Sequence, residues 1–275
     1  MKIIADSASM ITPAEARMMD LTVIPAAVVL DGRSYRDYIE ITTEEFLHRI
    51  AGGEVPTSSQ PAIGEVLEAL DSGEETLFVT LGSGLSGTYD NALAARNLSC
   101  EPEKIHVIDS GTLAGPLRYL VKKALKLRDL GMNMEAIKDS LARSIASSVS
   151  FVIPEDFEFL KRSGRLTPLT AKIGGALKLL PVMTQTQDRR RITPVAIKRS
   201  WKTAVETIVQ RLQDLQVGGE HLISVSHAGT PEKAEGILEQ IRKCFAYAET
   251  ELLELSPALV THGGPGCIVI QAIRK

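Results

Sequence analysis

Thr76-Leu77-Phe78-Val79-Thr80-Leu81 runs straight into Gly82-Ser83-Gly84-Leu85-Ser86-Gly87-Thr88, and the reading of that junction decides the fold. The first six residues are apolar or β-branched and too few for a helix, which predicts a buried strand. A turn of glycine and serine follows, and the segment from Ser86 to Asn97 predicts a helix. Strand, tight turn and helix in this order form one half of a βαβ unit. At such a junction backbone N–H groups point outward, glycines let a ligand approach closely, and the helix dipole favours negative charge.

Outward from this point the same rhythm continues. Lys2 to Asp6, Thr22 to Leu30 and Lys104 to Asp109 predict further strands, and Pro61 to Leu70, Leu113 to Leu130 and Met134 to Ser148 predict helices. Thr12-Pro13 with Glu15, and Thr42 with Glu45, place a capping hydroxyl three residues before a carboxylate at two more helix starts. Short strands alternating with amphipathic helices predict a parallel sheet covered by helices on both faces. After Ser150 the pattern changes. Lys178 to Thr186 and Ile192 to Arg199 predict two antiparallel strands around a polar turn, followed by helix Trp201 to Leu215, strand His221 to Ser226, helix Pro231 to Cys244 and strands Thr250 to Leu255 and Cys267 to Ile273. The expectation is an α/β chain of two domains: residues 1–150 with the parallel sheet, and a smaller 151–275 with a mixed sheet and helices.

Composition narrows the partners. The 275 residues carry 31 Lys plus Arg against 34 Asp plus Glu, a formal charge of −3, and the longest basic run, Arg189-Arg190-Arg191, follows Asp188 as a solvated turn. A duplex binder needs clustered cations, and a single-strand binder needs stacking rings, whereas aromatics make up 4% of this chain. Nucleic acid is therefore not an expected partner. With 44% hydrophobic residues, a chain of this size buries roughly 70–75% of its unfolded surface. Met1-Lys2-Ile3-Ile4-Ala5-Asp6 meets an acid too soon for an export signal, and the apolar stretch Leu21 to Leu30 is half a membrane span and contains Pro25, so a cytoplasmic protein without membrane insertion is expected. Cys100, Cys244 and Cys267 are odd in number and far apart, which suits reduced thiols in cores.

Three chemistries compete for the Gly82–Thr88 loop. As G-x-G-x-x-G it matches a dinucleotide fingerprint, with Asp109 ending a strand 22 residues after Gly87, where a ribose-binding acid belongs. That reading makes the chain an NAD(P)-dependent oxidoreductase. A P-loop is excluded because Thr88 stands where the lysine is required. A serine hydrolase has Ser86, Asp109 and His262 in the right order but lacks the final glycine of G-x-S-x-G. The structural alternative is a tight turn with Ser86 as N-cap. A second hydroxyl cluster, Pro56-Thr57-Ser58-Ser59-Gln60-Pro61, precedes a helix, and Ser59 or Gln60 as cap with Pro61 at the first helical position is its local reading. Arg165, after Gly164, opens the second domain, and His262 in Thr261-His262-Gly263-Gly264-Pro265-Gly266 falls on a rigid turn between apolar strands. Glu155-Asp156 with Glu158 offers oxygens of the kind magnesium takes, but acids around a Pro154 helix start serve the dipole. No metal and no cofactor is assigned.

Taken together these segments resemble the DegV family of bacterial fatty-acid-binding proteins. The motifs are Asp6-Ser7, Ser58-Ser59-Gln60-Pro61 for the family's Thr-Ser-Gln-Pro, Ser83-Gly84-Leu85-Ser86-Gly87-Thr88-Tyr89, Val107-Ile108-Asp109-Ser110, Ser163-Gly164-Arg165 and His262-Gly263-Gly264-Pro265-Gly266, in order over nearly the whole chain. The resemblance implies a two-domain DegV-like fold holding a long-chain fatty acid between the domains. Ser58, Ser86 and the N–H of Gly87 are then the carboxylate ligands, with Arg165 and His262 approaching the same head group. Ser58 stands where the family usually has threonine, and the adjacent Thr57 is an alternative ligand. The resemblance also implies a division of labour in which this chain is a binding subunit and a separate fatty acid kinase makes acyl phosphate from its cargo.

Overall fold

The computed structural model describes residues 1–170 and 179–275, which divide into two compact units, Met1–Ala146 with Ser256–Ala258, and Ser147–Leu255 with Leu259–Lys275. The first unit contains β1 (Lys2–Asp6), α1 (Pro13–Met18), β2 (Thr22–Ile24), β3 (Ala27–Leu30), β4 (Arg33–Arg36), α2 (Thr43–Ala51), β5 (Thr57–Ser59), α3 (Ile63–Leu70), β6 (Thr76–Thr80), α4 (Thr88–Leu98), β7 (Ile105–Asp109), α5 (Ala114–Asp129) and α6 (Met134–Ser147). Its main sheet has the order β2-β1-β6-β7 with every pair parallel. Alternate residues feed two faces. Ile4 and Phe78 pack with Val66 and Leu70 of α3 and Ala92 and Ala95 of α4, while α5 covers the opposite face against β1 and β6. The order reverses at β1, so the crevice between the carboxyl ends of β1 and β6 is the topological switch point, where ligands of open α/β sheets collect. Thr12 and Glu15 form the reciprocal capping box expected from their spacing, and Thr42 accepts the Glu45 N–H.

The expected strand Thr22 to Leu30 is broken. The edge strand β2 ends at Ile24, Pro25 has no N–H to extend its pairing with β1, and β3 starts a separate three-stranded sheet, β4-β3-β5. Asp31 and Gly32, both at positive φ, turn β3 into β4. That Asp-Gly pair is a hairpin signal legible in the sequence.

The second unit follows with β8 (Val149–Ile153), α7 (Phe157–Arg162), β9 (Leu180–Gln185), β10 (Ile192–Lys198), α8 (Trp201–Asp214), β11 (His221–His227), α9 (Pro231–Cys244), β12 (Glu249–Glu254), α10 (Pro257–Gly263) and β13 (Ile268–Arg274). Its sheet is mixed, in the order β10-β9-β8-β13-β11-β12, with only β11 and β12 parallel. Ile223, Val225, Ile268 and Ile270 form a core with Val205 and Ile208 of α8 and Ile237 and Ile241 of α9. The expected β9–β10 hairpin forms around Thr186–Arg191, while its anticipated first residue, Lys178, lies outside the described residues. Helix α7 begins at Phe157 rather than at Pro154, and Asp156 caps it by accepting the Glu158 N–H. Cys267 is buried, but Cys100 and Cys244 are exposed free thiols, unlike the core positions expected. No helix among the described residues is long and apolar enough to cross a membrane.

Candidate functional site

The Gly82–Thr88 loop is held at its entrance by carboxylates from both neighbouring strands. Leu81 donates its N–H to Asp6 Oδ2 at 2.6 Å, from the end of β1. Ser83 donates its N–H and hydroxyl to the two oxygens of Asp109, at 3.0 and 2.5 Å, from the end of β7. Asp109 also accepts the Gly111 N–H at 2.8 Å. Gly82 is required by close approach: a Cβ there would stand 2.8 Å from Gly111 C and Thr112 N. The chain then turns, with Leu85 and Ser86 both donating to the Gly82 carbonyl, and enters α4.

Gly87, not Ser86, occupies the N-cap position of α4. Ser86 still serves the helix from one residue earlier, since its Oγ accepts the Thr88 N–H at 3.2 Å and lies 2.9 Å from Thr88 Oγ1. The N–H groups of Gly87 and Tyr89 have no acceptor among the described residues. Open N–H groups at a helix start are donors of the kind an anion takes. The dinucleotide reading fares worse, because the Asp109 oxygens already carry three donors of the protein's own loops and are not presented to a ribose.

The second hydroxyl cluster does something other than cap a helix. Thr57–Ser59 form β5, and α3 starts at Ile63 with Ala62 as a cap that makes no side-chain bond, so neither Ser59 nor Gln60 caps it and Pro61 lies outside it. Pairing with β3 makes this segment an edge strand of the three-stranded sheet instead. Ser58 stands opposite Val28, which is fully buried, whereas Thr57 stands opposite Val29 and is exposed. Paired residues share a face, so Ser58 is the inward hydroxyl of the two. The segment then meets the loop. Gln60 Oε1 lies 2.0 Å from where a Cβ on Gly87 would be, and Asn91 Nδ2 of α4 donates to the Pro61 carbonyl at 2.7 Å. Ser58, Ser86 and Gly87 therefore lie on two segments that touch inside the first unit.

In the second unit, Arg165 follows Gly164, whose φ is +72°, and its guanidinium donates to the Ser163 carbonyl. His262 lies in the last turn of α10 rather than on the turn expected, because the chain continues helical from Pro257 and breaks only at Gly264, φ +77°. Burial pushes the His262 imidazole down to about 4, and the Arg165 charge pushes the same way. Arg165 is itself lowered, first by burial and then by Arg191. The two are electrostatic neighbours, and His262 is a neutral imidazole at pH 7.

Two acids that the sequence reading gave no site role, Asp6 and Asp37, are buried. Burial raises Asp6 to about 7 against the opposing N–H bonds from Leu81 and Ala8, and the nearby Asp37 adds to the rise. Burial likewise raises Asp37 to about 6, although the Ser7 and Ser256 hydroxyls and the Ala258 N–H favour its charged form. Its Oδ2 has no partner within hydrogen-bonding geometry. An acid closing the apolar run of β1 was the available signal.

The family model described as "Uncharacterised protein, DegV family" matches residues 1–275. A DegV domain-containing protein of Clostridium acetobutylicum is 28% identical over 277 residues, covering 98% of this chain and 96% of that protein. Among solved structures, DegV of Bacillus subtilis, described as a fatty acid binding protein, aligns with a TM-score of 0.87 at 27% identity over 100% of this chain and 99% of that one. A DegV family protein of Thermus thermophilus, described for its fatty acid binding, aligns with a TM-score of 0.90 at 26% identity and the same coverage. Fold, motif order and full-length match agree, and the chain belongs to the DegV family.

Proposed function

We propose that this chain binds a long-chain fatty acid and presents its carboxylate to a separate kinase, which converts it to acyl phosphate. The observation that carries the proposal is the meeting of the Ser58–Pro61 segment with Gly87 and Asn91 beside the open N–H groups at the start of α4. These donors are neutral and fixed, which suits a partly desolvated carboxylate: each hydrogen bond to a charged group contributes about 1.5–3 kcal/mol net. Ser58, Ser86 and the Gly87 N–H are assigned as its ligands, with Ser58 preferred over Thr57 because it faces inward. Arg165 and His262 are proposed as further head-group ligands on the strength of their motifs alone.

Affinity then comes from the acyl chain, at about 0.8 kcal/mol per buried methylene before ordering costs. In this reading the chain is a binding subunit and not a complete enzyme, since the loop that resembles a P-loop carries Thr88 in place of its lysine. Organic extraction of the purified protein followed by mass spectrometry tests the first half, and a long-chain acid is expected. Absence of any acyl species, together with no uptake of added palmitate or oleate, refutes it. For the second half, the chain with palmitate and Mg-ATP should yield no acyl phosphate until a fatty acid kinase is added. Robust product from the chain alone overturns the division of labour.

A further inference from the structure

The loop that supplies Ser86 and Gly87 leaves β6, the strand flanked in the sheet by β1 and β7. Each flanking strand ends in an aspartate, Asp6 and Asp109, and each carboxylate takes a backbone N–H from the first residues of that loop. For an anion-accepting loop this is a paradox, because two acids behind it repel the ligand. Fixed geometry resolves it: the acids consume the N–H groups of Leu81 and Ser83, which point into the sheet end, and leave those of Gly87 and Tyr89 for the ligand. Asp109 carries the larger share of this work, with three donors from two loops, Ser83 N, Ser83 Oγ and Gly111 N. Gly82 adds a further tie by donating to the Thr112 carbonyl at 2.8 Å, which joins the loops after β6 and β7.

We infer that Asp109 is a positioning residue for head-group recognition: it touches no ligand, and it holds the Gly82–Gly87 loop in the course that aims Ser86 and Gly87 at a carboxylate. This rests on the fatty-acid reading for the identity of the ligand, and on the hydrogen bonds alone for the loop. Asparagine at 109 keeps the shape but removes the charge, so the Ser83 and Gly111 N–H bonds to Oδ1 lose their charge assistance, and the Ser83 hydroxyl must turn round to accept from Nδ2.

The test compares delipidated wild type and Asp109→Asn in binding palmitate and methyl palmitate, which share a tail and differ at the head. A merely structural role weakens both lipids alike. A positioning role costs the acid about tenfold in affinity and leaves the ester within about twofold, the loss of roughly one charge-assisted hydrogen bond. An unchanged or raised preference for the acid overturns the inference, the latter showing that repulsion outweighs alignment. Amide hydrogen exchange of the ligand-free proteins supplies a readout independent of lipid. Faster exchange confined to residues 82–88 and 111 is expected in the variant, and unchanged exchange there overturns the inference even if the wild type binds no fatty acid at all. Should Asp109→Asn not fold, Ser83→Ala removes only the hydroxyl bond and carries the same comparison at about threefold.

Discussion

Two glycines five residues apart should respond to alanine in opposite ways. At Gly82 a methyl group would stand 2.8 Å from Gly111 C and Thr112 N, both backbone atoms of a neighbouring loop that cannot rotate away. The loops must separate, breaking or lengthening the Gly82–Thr112 bond, and overpacking of this kind costs about 1–3 kcal/mol. At Gly87 the clash looks worse, 2.0 Å to Gln60 Oε1, but that atom is the far end of an exposed, flexible side chain. The Gly87 backbone, φ −76° and ψ 4°, is open to alanine without strain. Alanine is a poorer N-cap than glycine by under about 1 kcal/mol, and the lost unfolded-chain entropy returns about 0.4–1 kcal/mol, so the net stability change is near zero. Binding should show the reverse, because the methyl group fills the anion approach and expels the Gln60 amide. Urea denaturation should therefore find Gly82→Ala destabilised and Gly87→Ala within about 0.5 kcal/mol of wild type. Palmitate titration should find Gly87→Ala weakened about tenfold or more, the loss of one N–H bond to a charged group. A Gly87→Ala protein that binds palmitate as wild type refutes the placement of the head group at this loop.

Ser86→Ala should weaken palmitate binding about tenfold and Ser83→Ala about threefold, since the first removes a ligand and the second only a brace; equal losses in a calorimetric titration mean the serine is misassigned. Asp6 holds its proton to about 7 when folded and to 3.8 otherwise, so its contribution to stability is fully present below 3.8 and is lost as pH rises through 7. Asp6→Asn should flatten the denaturation midpoint over that window, and an unaltered pH profile refutes the assignment. His262, depressed to about 4 from 6.5, has the opposite sign: it costs stability as pH falls from 6.5 toward 4. Its imidazole resonances should remain those of the neutral ring down to about pH 5 in an NMR titration, and a midpoint near 6.5 contradicts its burial.

Periodicity and punctuation in the sequence account for most of the fold. The parallel strands Lys2–Asp6, Thr76–Thr80 and Ile105–Asp109 and the helices between them follow from apolar runs and cap spacings, which are local properties of the chain. The order of the motifs likewise placed the chain in its family. What local pattern could not decide was which of two physically equal options each polar residue takes. Ser59, Gln60 and Pro61 carry the composition of a helix start, yet pairing with Val28 and its neighbours, far back in sequence, draws Thr57–Ser59 into β5, turns Ser58 inward and leaves Gln60 and Pro61 ahead of the helix. Asp109 has the spacing of a ribose ligand, and only the distance to Ser83 and Gly111 shows that its oxygens are spent on the loop. Asp6 reads as a strand-ending acid, and its raised affinity for a proton comes from burial and from Asp37, a residue just past the end of β4. A sequence determines what each residue is able to donate, accept or bury. The tertiary structure decides which partner reaches it first, because hydrogen bonding and desolvation act over a few ångströms and the residues that compete are tens of positions apart.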